Sequence, residues 1–123
     1  MSETGTQNTS ETMAKLAIAA LENKKAEDIR IIDISEISSL GDYFILASGL
    51  NRVQLQTMSD EVERVLAAQG HLPRQIEGYD KAHWVLLDYN DIIIHLFDNE
   101  NRLFYNLERI WRDGKEISRE SFA

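Results

Sequence analysis

The spacing of apolar residues changes several times along this chain, and each change marks an element. Met13, Leu16, Ala17, Ala20 and Leu21 recur at steps of three and four, the signature of one helix face, with Ser10 placed to cap the first turn. This helix should end near Lys24 and Lys25, where positive charge suits the C-terminal dipole. Ile29 to Ile34 is a β-branched run that predicts a strand, and Asp42 to Gly49 predicts a second, entered through a Ser/Gly turn. Asn51 then caps a helix whose stripe is Leu55, Met58, Val62, Val65 and Leu66, stopped by Gly70. Gln56, Ser59, Asp60 and Glu63 fall off that stripe and are expected to face water. Arg74 to Gly78 adds a short strand. A last helix is predicted from about Glu100 to Arg112, with Leu103, Leu107, Ile110 and Trp111 on its apolar side. Residues 1–9 are too polar to repay their ordering entropy and read as a disordered tail, and 113–123 as a loose one. The element order predicts one α+β domain over residues 10–112, with a mixed β-sheet packed against helices.

Between His83 and Asp98 the pattern becomes that of a hairpin, with two strand-forming runs flanking Tyr89, Asn90 and Asp91. Any two-residue turn there preserves the same parity, because strand side chains alternate with period two. Val85, Leu87, Tyr89, Ile92, Ile94 and Leu96 then share an almost wholly apolar face, which must be core. The opposite face collects Trp84, Leu86, Asp88, Asp91, Ile93, His95 and Phe97. An aromatic anchor among polar groups is the make-up of an interaction surface, and Trp84, Asp88, Asp91 and His95 are its candidate contacts.

Charge narrows the partner. The chain of 123 residues has 13 basic and 21 acidic side chains, a net charge of −8, which opposes direct binding to a nucleic-acid backbone. Residues 28–99 hold twelve of the acids and five of the bases, so the acidic surplus lies at the centre of the domain. A basic partner protein is the complement of such a surface, and solubility alone is the other reading of the same excess. Absence of cysteine removes disulfides and thiolate chemistry. No segment approaches the roughly 20 apolar residues of a membrane span, so a soluble, cytoplasmic protein is expected, as a monomer or a homodimer when free.

Catalytic and metal-binding patterns are weak. His71, His83 and His95 lack ligand spacing, and a lone strand histidine is more often structural. The single glycine in "LASGLN" makes neither a dinucleotide fingerprint nor a P-loop. Asp88 and Asp91 could act as an acid/base or metal pair, but they flank a turn, where aspartate is common for local reasons. The competing reading is a nucleotidyltransferase-like phosphoryl-transfer enzyme using acidic residues and magnesium. Against it, Gly49 is followed by Leu50 rather than serine, and the two aspartates are three apart across a turn.

Several spaced blocks nevertheless have a family likeness. "DYFILASGLNRVQ", Glu77 and Gly78, "WVLLDYNDIIIHLF" and "RLFYNLERIW" together resemble the ribosomal silencing factor family RsfS, also called Iojap, over about Leu16 to Trp111. The resemblance implies a nucleotidyltransferase-like fold without catalytic motifs and a factor with no enzymatic activity or cofactor. It further implies binding to ribosomal protein L-fourteen of the large subunit, obstruction of subunit joining, and lowered translation when nutrients are short. Trp84, Asp88, Asp91, His95, Glu77 and Gly78 match the family's hairpin region, and Asp42, Tyr43 and Phe44 its second strand. Arg102, Tyr105, Leu107, Glu108 and Trp111 match its C-terminal block. The resemblance thus adds Glu77, Asp42, Arg102 and Tyr105 to the expected partner contacts. The chain departs from the pattern at Gly49, Leu50 and Asn51, where Gly-Thr-Ser is common, and at Asn90, where glycine is usual.

Overall fold

Two helices lie along one face of a six-stranded mixed sheet in the computed structural model, which describes residues 9–37, 41–98 and 113–118. The elements run α1 (Thr9–Asn23), β1 (Glu27–Asp33), β2 (Tyr43–Gly49), α2 (Arg52–Ala68), β3 (Gln75–Glu77), β4 (Trp84–Asp88), β5 (Ile92–Asp98) and β6 (Lys115–Ile117). In space the strands are ordered β3-β4-β5-β2-β1-β6. Among the described strands only β2 and β5 run parallel; every other neighbouring pair is antiparallel. The expected α+β class and mixed sheet are therefore observed.

Local chemistry sets the element ends. Asn51 caps α2 as its position predicts, its side chain accepting from Gln54 N–H at 2.9 Å. At the other end Gly70 takes φ +87°, and the N–H groups of Gly70 and His71 donate to Ala67 and Leu66 carbonyls at 2.9 Å each. This closure satisfies the last helical carbonyls and needs a left-handed residue after the cap.

The hairpin closes through the two-residue turn Asn90-Asp91, with Tyr89 N–H donating to Ile92 O at 3.0 Å and Asn90 at φ +74°. The expected parity follows. Val85, Leu87, Tyr89, Ile92, Ile94 and Leu96 join Ile31, Ile45 and Ala47 beneath the buried stripes of α1 and α2.

Four expectations are corrected. Thr9, assigned to the tail, is already helical, and Ser10 does not cap α1 but lies inside it, its hydroxyl donating to Asp42 Oδ2 at 2.6 Å. Lys115–Ile117, assigned to the loose tail, forms an edge strand on β1, with Ile117 opposite Ile31 and against the main core. Three residues with one apolar side chain are invisible to periodicity, and the partner strand supplies the order. Ser59, expected to be wet, is buried without a hydrogen-bond partner among the described residues, and Glu61 beside it is also buried, held by Arg64 at 2.7 Å. Two helices crossing the same sheet enclose more of α2 than its apolar stripe indicates. The expected helix over 100–112 and the tail segments 1–8 and 119–123 lie outside the described residues.

An unbonded buried hydroxyl costs about 1–3 kcal/mol, and alanine is the better helix former. Ser59→Ala is accordingly expected to raise stability by about 1 kcal/mol in urea unfolding. A lower midpoint would show that this hydroxyl holds a bond.

Candidate functional site

The sheet face turned away from α1 and α2 carries the candidate residues, and strand pairing sorts them into rows. Glu77 on β3, Leu86 on β4, His95 on β5 and Leu46 on β2 form one row, and Trp84, Phe97 and Ser48 form the next. At the centre of this face Ile32, Ile34, Phe44, Leu46, Ile93 and Phe97 make a second, smaller apolar cluster. The face expected to be an open interaction surface is thus largely interior. Among the described residues it stays accessible on two sides: at β1 and β6, where Arg30 pairs with Glu116, and at the β3–β4 margin, where Trp84 is 37% exposed, Leu86 half-buried, and Gln75 and Glu77 exposed and bonded to each other through their side chains.

Trp84 and His95 act as one unit. The indole Nε1–H donates to His95 Nδ1 at 3.0 Å, and the rings lie 5.8 Å apart at 27°. Trp84 also stacks on Phe97 at 5.8 Å, and His95 lies 4.8 Å from Phe44. Only 6% of His95 is accessible, so a partner cannot touch it directly as the sequence suggests. Burial pushes its pKa down from 6.5 to about 4. An indole nitrogen only donates, so Nδ1 must be the unprotonated nitrogen and Nε2 carries the hydrogen.

Gly78 frames this margin from below. It sits at φ +78°, and a Cβ there would collide with the carbonyl oxygen of Trp84. Glycine is required by both conformation and space. The following loop is held by Ala82 N–H to Gly78 O at 2.9 Å, and by Gln56 of α2, which donates to Tyr79 O at 2.9 Å. His83 and Asp98 pair at 2.8 Å at the end of the hairpin beside Trp84.

The three aspartates gather at the opposite end of the strands. Asp42 N–H donates to Asp91 O at 2.8 Å, bringing the start of β2 against the hairpin turn. Gly41 packs so closely on this turn that a Cβ would lie 2.9 Å from Asn90 O. Asp88 is 7% exposed, and both of its oxygens are engaged. Oδ2 accepts from Arg74 at 2.6 Å and Oδ1 from Asn90 N–H at 2.8 Å. Asp88 therefore builds the turn, and it is not a free carboxylate for a partner or a metal. Asp42 is exposed and Asp91 half-buried. Strand length separates this acidic end from Trp84 by about 13 Å, so the hairpin carries two clusters. Arg102 and Tyr105 lie outside the described residues.

Sequence reasoning missed Arg74, because its pairing with Asp88 spans 14 positions and only the β3–β4 register brings the two together. It also missed the exposed Leu50 and Val53 at the start of α2. Among the described residues no group of three or more His, Cys, Asp or Glu side chains is arranged to hold a metal ion, and no helix is long and apolar enough to cross a membrane.

Comparison with known proteins agrees with this architecture. The family model described as "Ribosomal silencing factor during starvation" matches residues 7–123. The ribosomal silencing factor RsfS of Zymomonas mobilis is 44% identical over 107 residues, covering 86% of this chain and 80% of its own. That of Bacillus subtilis is 37% identical over 103 residues, covering 84% and 87%. A crystal structure of a Chromobacterium violaceum protein superposes with a TM-score of 0.79 at 33% identity, covering 87% of this chain and 88% of that one.

Because His95 is held neutral, the unfolded chain binds a proton between pH 6.5 and about 4 that the folded chain does not. Stability contributed by the neutral ring is complete above pH 6.5 and lost as pH falls through that window, by roughly 3 kcal/mol in all. Urea midpoints of wild type and His95→Phe between pH 7.5 and 4.5 check this, and the variant should lose stability less steeply. Parallel losses would contradict it.

Proposed function

The chain belongs to the ribosomal silencing factor family, and from that premise we propose that it lowers translation in the cytoplasm by docking its β3–β4 margin on the large ribosomal subunit. The contact is made with ribosomal protein L-fourteen, and the bound domain stands in the way of the small subunit when nutrients are short. Trp84 is the observation that carries the reading: a tryptophan on a strand that buries its neighbours Val85 and Leu87 remains exposed at a sheet margin. Its ring is stacked and bonded, so little rotamer freedom is left to lose on binding, which favours an anchor.

Charge supports the same partner. A net charge of −8 repels the phosphate backbone of ribosomal RNA and suits a basic ribosomal protein. Exposed Glu77 beside Trp84 supplies a polar rim, and Asp42 and Asp91 extend negative charge to the other end of the hairpin. Steric exclusion of a subunit needs no reaction. A standard interface buries roughly 800 Å² per partner, within the reach of one sheet margin and its adjoining loops.

Co-sedimentation with separated ribosomal subunits tests the proposal, with migration expected alongside the large subunit alone. Trp84→Ala should weaken that binding by about 2 kcal/mol or more. It should cost folding only about 1–2 kcal/mol, the loss of one hydrogen bond and a partly exposed stack, against the 3–5 kcal/mol of a core tryptophan. Light scattering on mixing subunits should show that wild type slows their association and the variant does not. Undiminished binding by Trp84→Ala would remove the margin from the interface.

Charge reversal separates the aspartates. Asp91→Lys should slow association and flatten its salt dependence while the protein stays folded, whereas Asp88→Lys should unfold the turn by opposing Arg74. Equal stability of the two variants would contradict the structural assignment of Asp88.

A further inference from the structure

We propose that His95 is a positioning residue for docking: its buried imidazole accepts the Trp84 indole hydrogen and fixes the angle at which the exposed ring meets the partner. The inference rests on the proposed docking role of Trp84 and adds to it a group the partner never touches.

Three observations carry it. The bond is well formed, at 3.0 Å from indole nitrogen to Nδ1, and it joins an exposed side chain to an interior one. The imidazole is itself clamped, nearly parallel to Phe97 at 6.1 Å and tilted against Phe44 at 4.8 Å, so it transmits a fixed orientation rather than following the indole. Finally, His95 Nε2 is buried with no hydrogen-bond partner among the described residues.

The last observation separates positioning from packing. A buried histidine whose Nε2–H is unpaired forfeits the desolvation of that group, which offsets what its one bond to Trp84 returns. An apolar ring in the same place would avoid this cost and fill similar volume. As a core residue, histidine is a poor choice here. As a holder of Trp84 it is apt, because only an acceptor at the Nδ1 position can take the indole hydrogen. With this bond the indole is pinned by a stack and a directional contact together; without it the ring keeps the stack but can rotate about its side-chain bonds, and that freedom must be lost on binding.

Four proteins make the test: wild type, His95→Phe, His95→Asn and Trp84→Ala, each titrated against purified large ribosomal subunits and unfolded in urea. Phenylalanine keeps the stack without an acceptor, whereas the asparagine carbonyl oxygen can fall near the place of Nδ1. His95→Phe is expected to bind roughly three- to tenfold more weakly, the equivalent of one net hydrogen bond, with stability at neutral pH equal to wild type or higher. His95→Asn should recover most of that affinity even where it lowers stability. In the wild type, nitrogen-15 spectra of the imidazole at pH 7 should show Nδ1 unprotonated and hydrogen-bonded, with Nε2 protonated, and replacing Trp84 should shift the Nδ1 resonance.

Wild-type affinity in His95→Phe, with Trp84→Ala still weakened, overturns the positioning role and leaves the docking reading standing. Unchanged binding by Trp84→Ala overturns both. A protonated Nδ1 overturns the proposal whether or not any variant folds.

Discussion

The bond from Tyr89 N–H to Ile92 O, which makes Asn90-Asp91 a two-residue turn, decides the facing of every side chain on β4 and β5. One more residue in the loop would exchange the faces of one strand relative to the other. Asn90 accepts the positive φ the turn needs, and Asp88, neutralised by Arg74, receives the Asn90 N–H and holds the bend. Asp42 N–H then ties the turn to the start of β2, where Gly41 allows the close approach. This contact sets the register of β2 with β5, the parallel pair at the centre of the sheet. The same few residues therefore place Ile94 and Leu96 under the helices and Trp84 and His95 on the far side.

The packing of the two sheet faces divides along that parity. The helix side is apolar apart from isolated groups such as Ser59 and Tyr89, whose hydroxyls are buried without partners among the described residues; burial pushes Tyr89 up to about 12. The other side grades from an interior of Ile93 and Phe97 to an edge of Leu86, Trp84 and Glu77. Arg30, Arg64 and Arg74, three of the five bases between residues 28 and 99, are engaged by acids of the chain itself. Because the twelve acids of that segment outnumber its five bases, the surface field stays negative.

Much of this was legible in the sequence, and the reason is local. Helix stripes, the Asn51 cap, the Gly70 stop and hairpin parity depend on residues within a few positions of one another, and each was found. The α+β class followed from their order. What escaped depends on distant pairing. The three-residue strand β6 is ordered by β1, Ser59 is enclosed by packing, and Asp88 is occupied by Arg74 across the β3–β4 register. The candidate site was legible in the same measure. Trp84 was expected from parity to be the anchor, and among the aromatic residues of that hairpin face it is the exposed one, whereas His95 shares its face and lies beneath it, because alternation tells which face a residue takes and not how deep it sits. The family likeness supplied the partner class, which no spacing of residues states.

Hydroxyl-radical footprinting of the protein, free and bound to purified large subunits, tests the central claim most directly, since it reads which side chains the partner covers. The account predicts that labelling of Trp84, already strong in the free protein, falls sharply in the complex together with that of Leu86, while Leu72, in the connection from α2 to β3, stays reactive. Protection confined to α1 and α2, with Trp84 labelled as before, would contradict it.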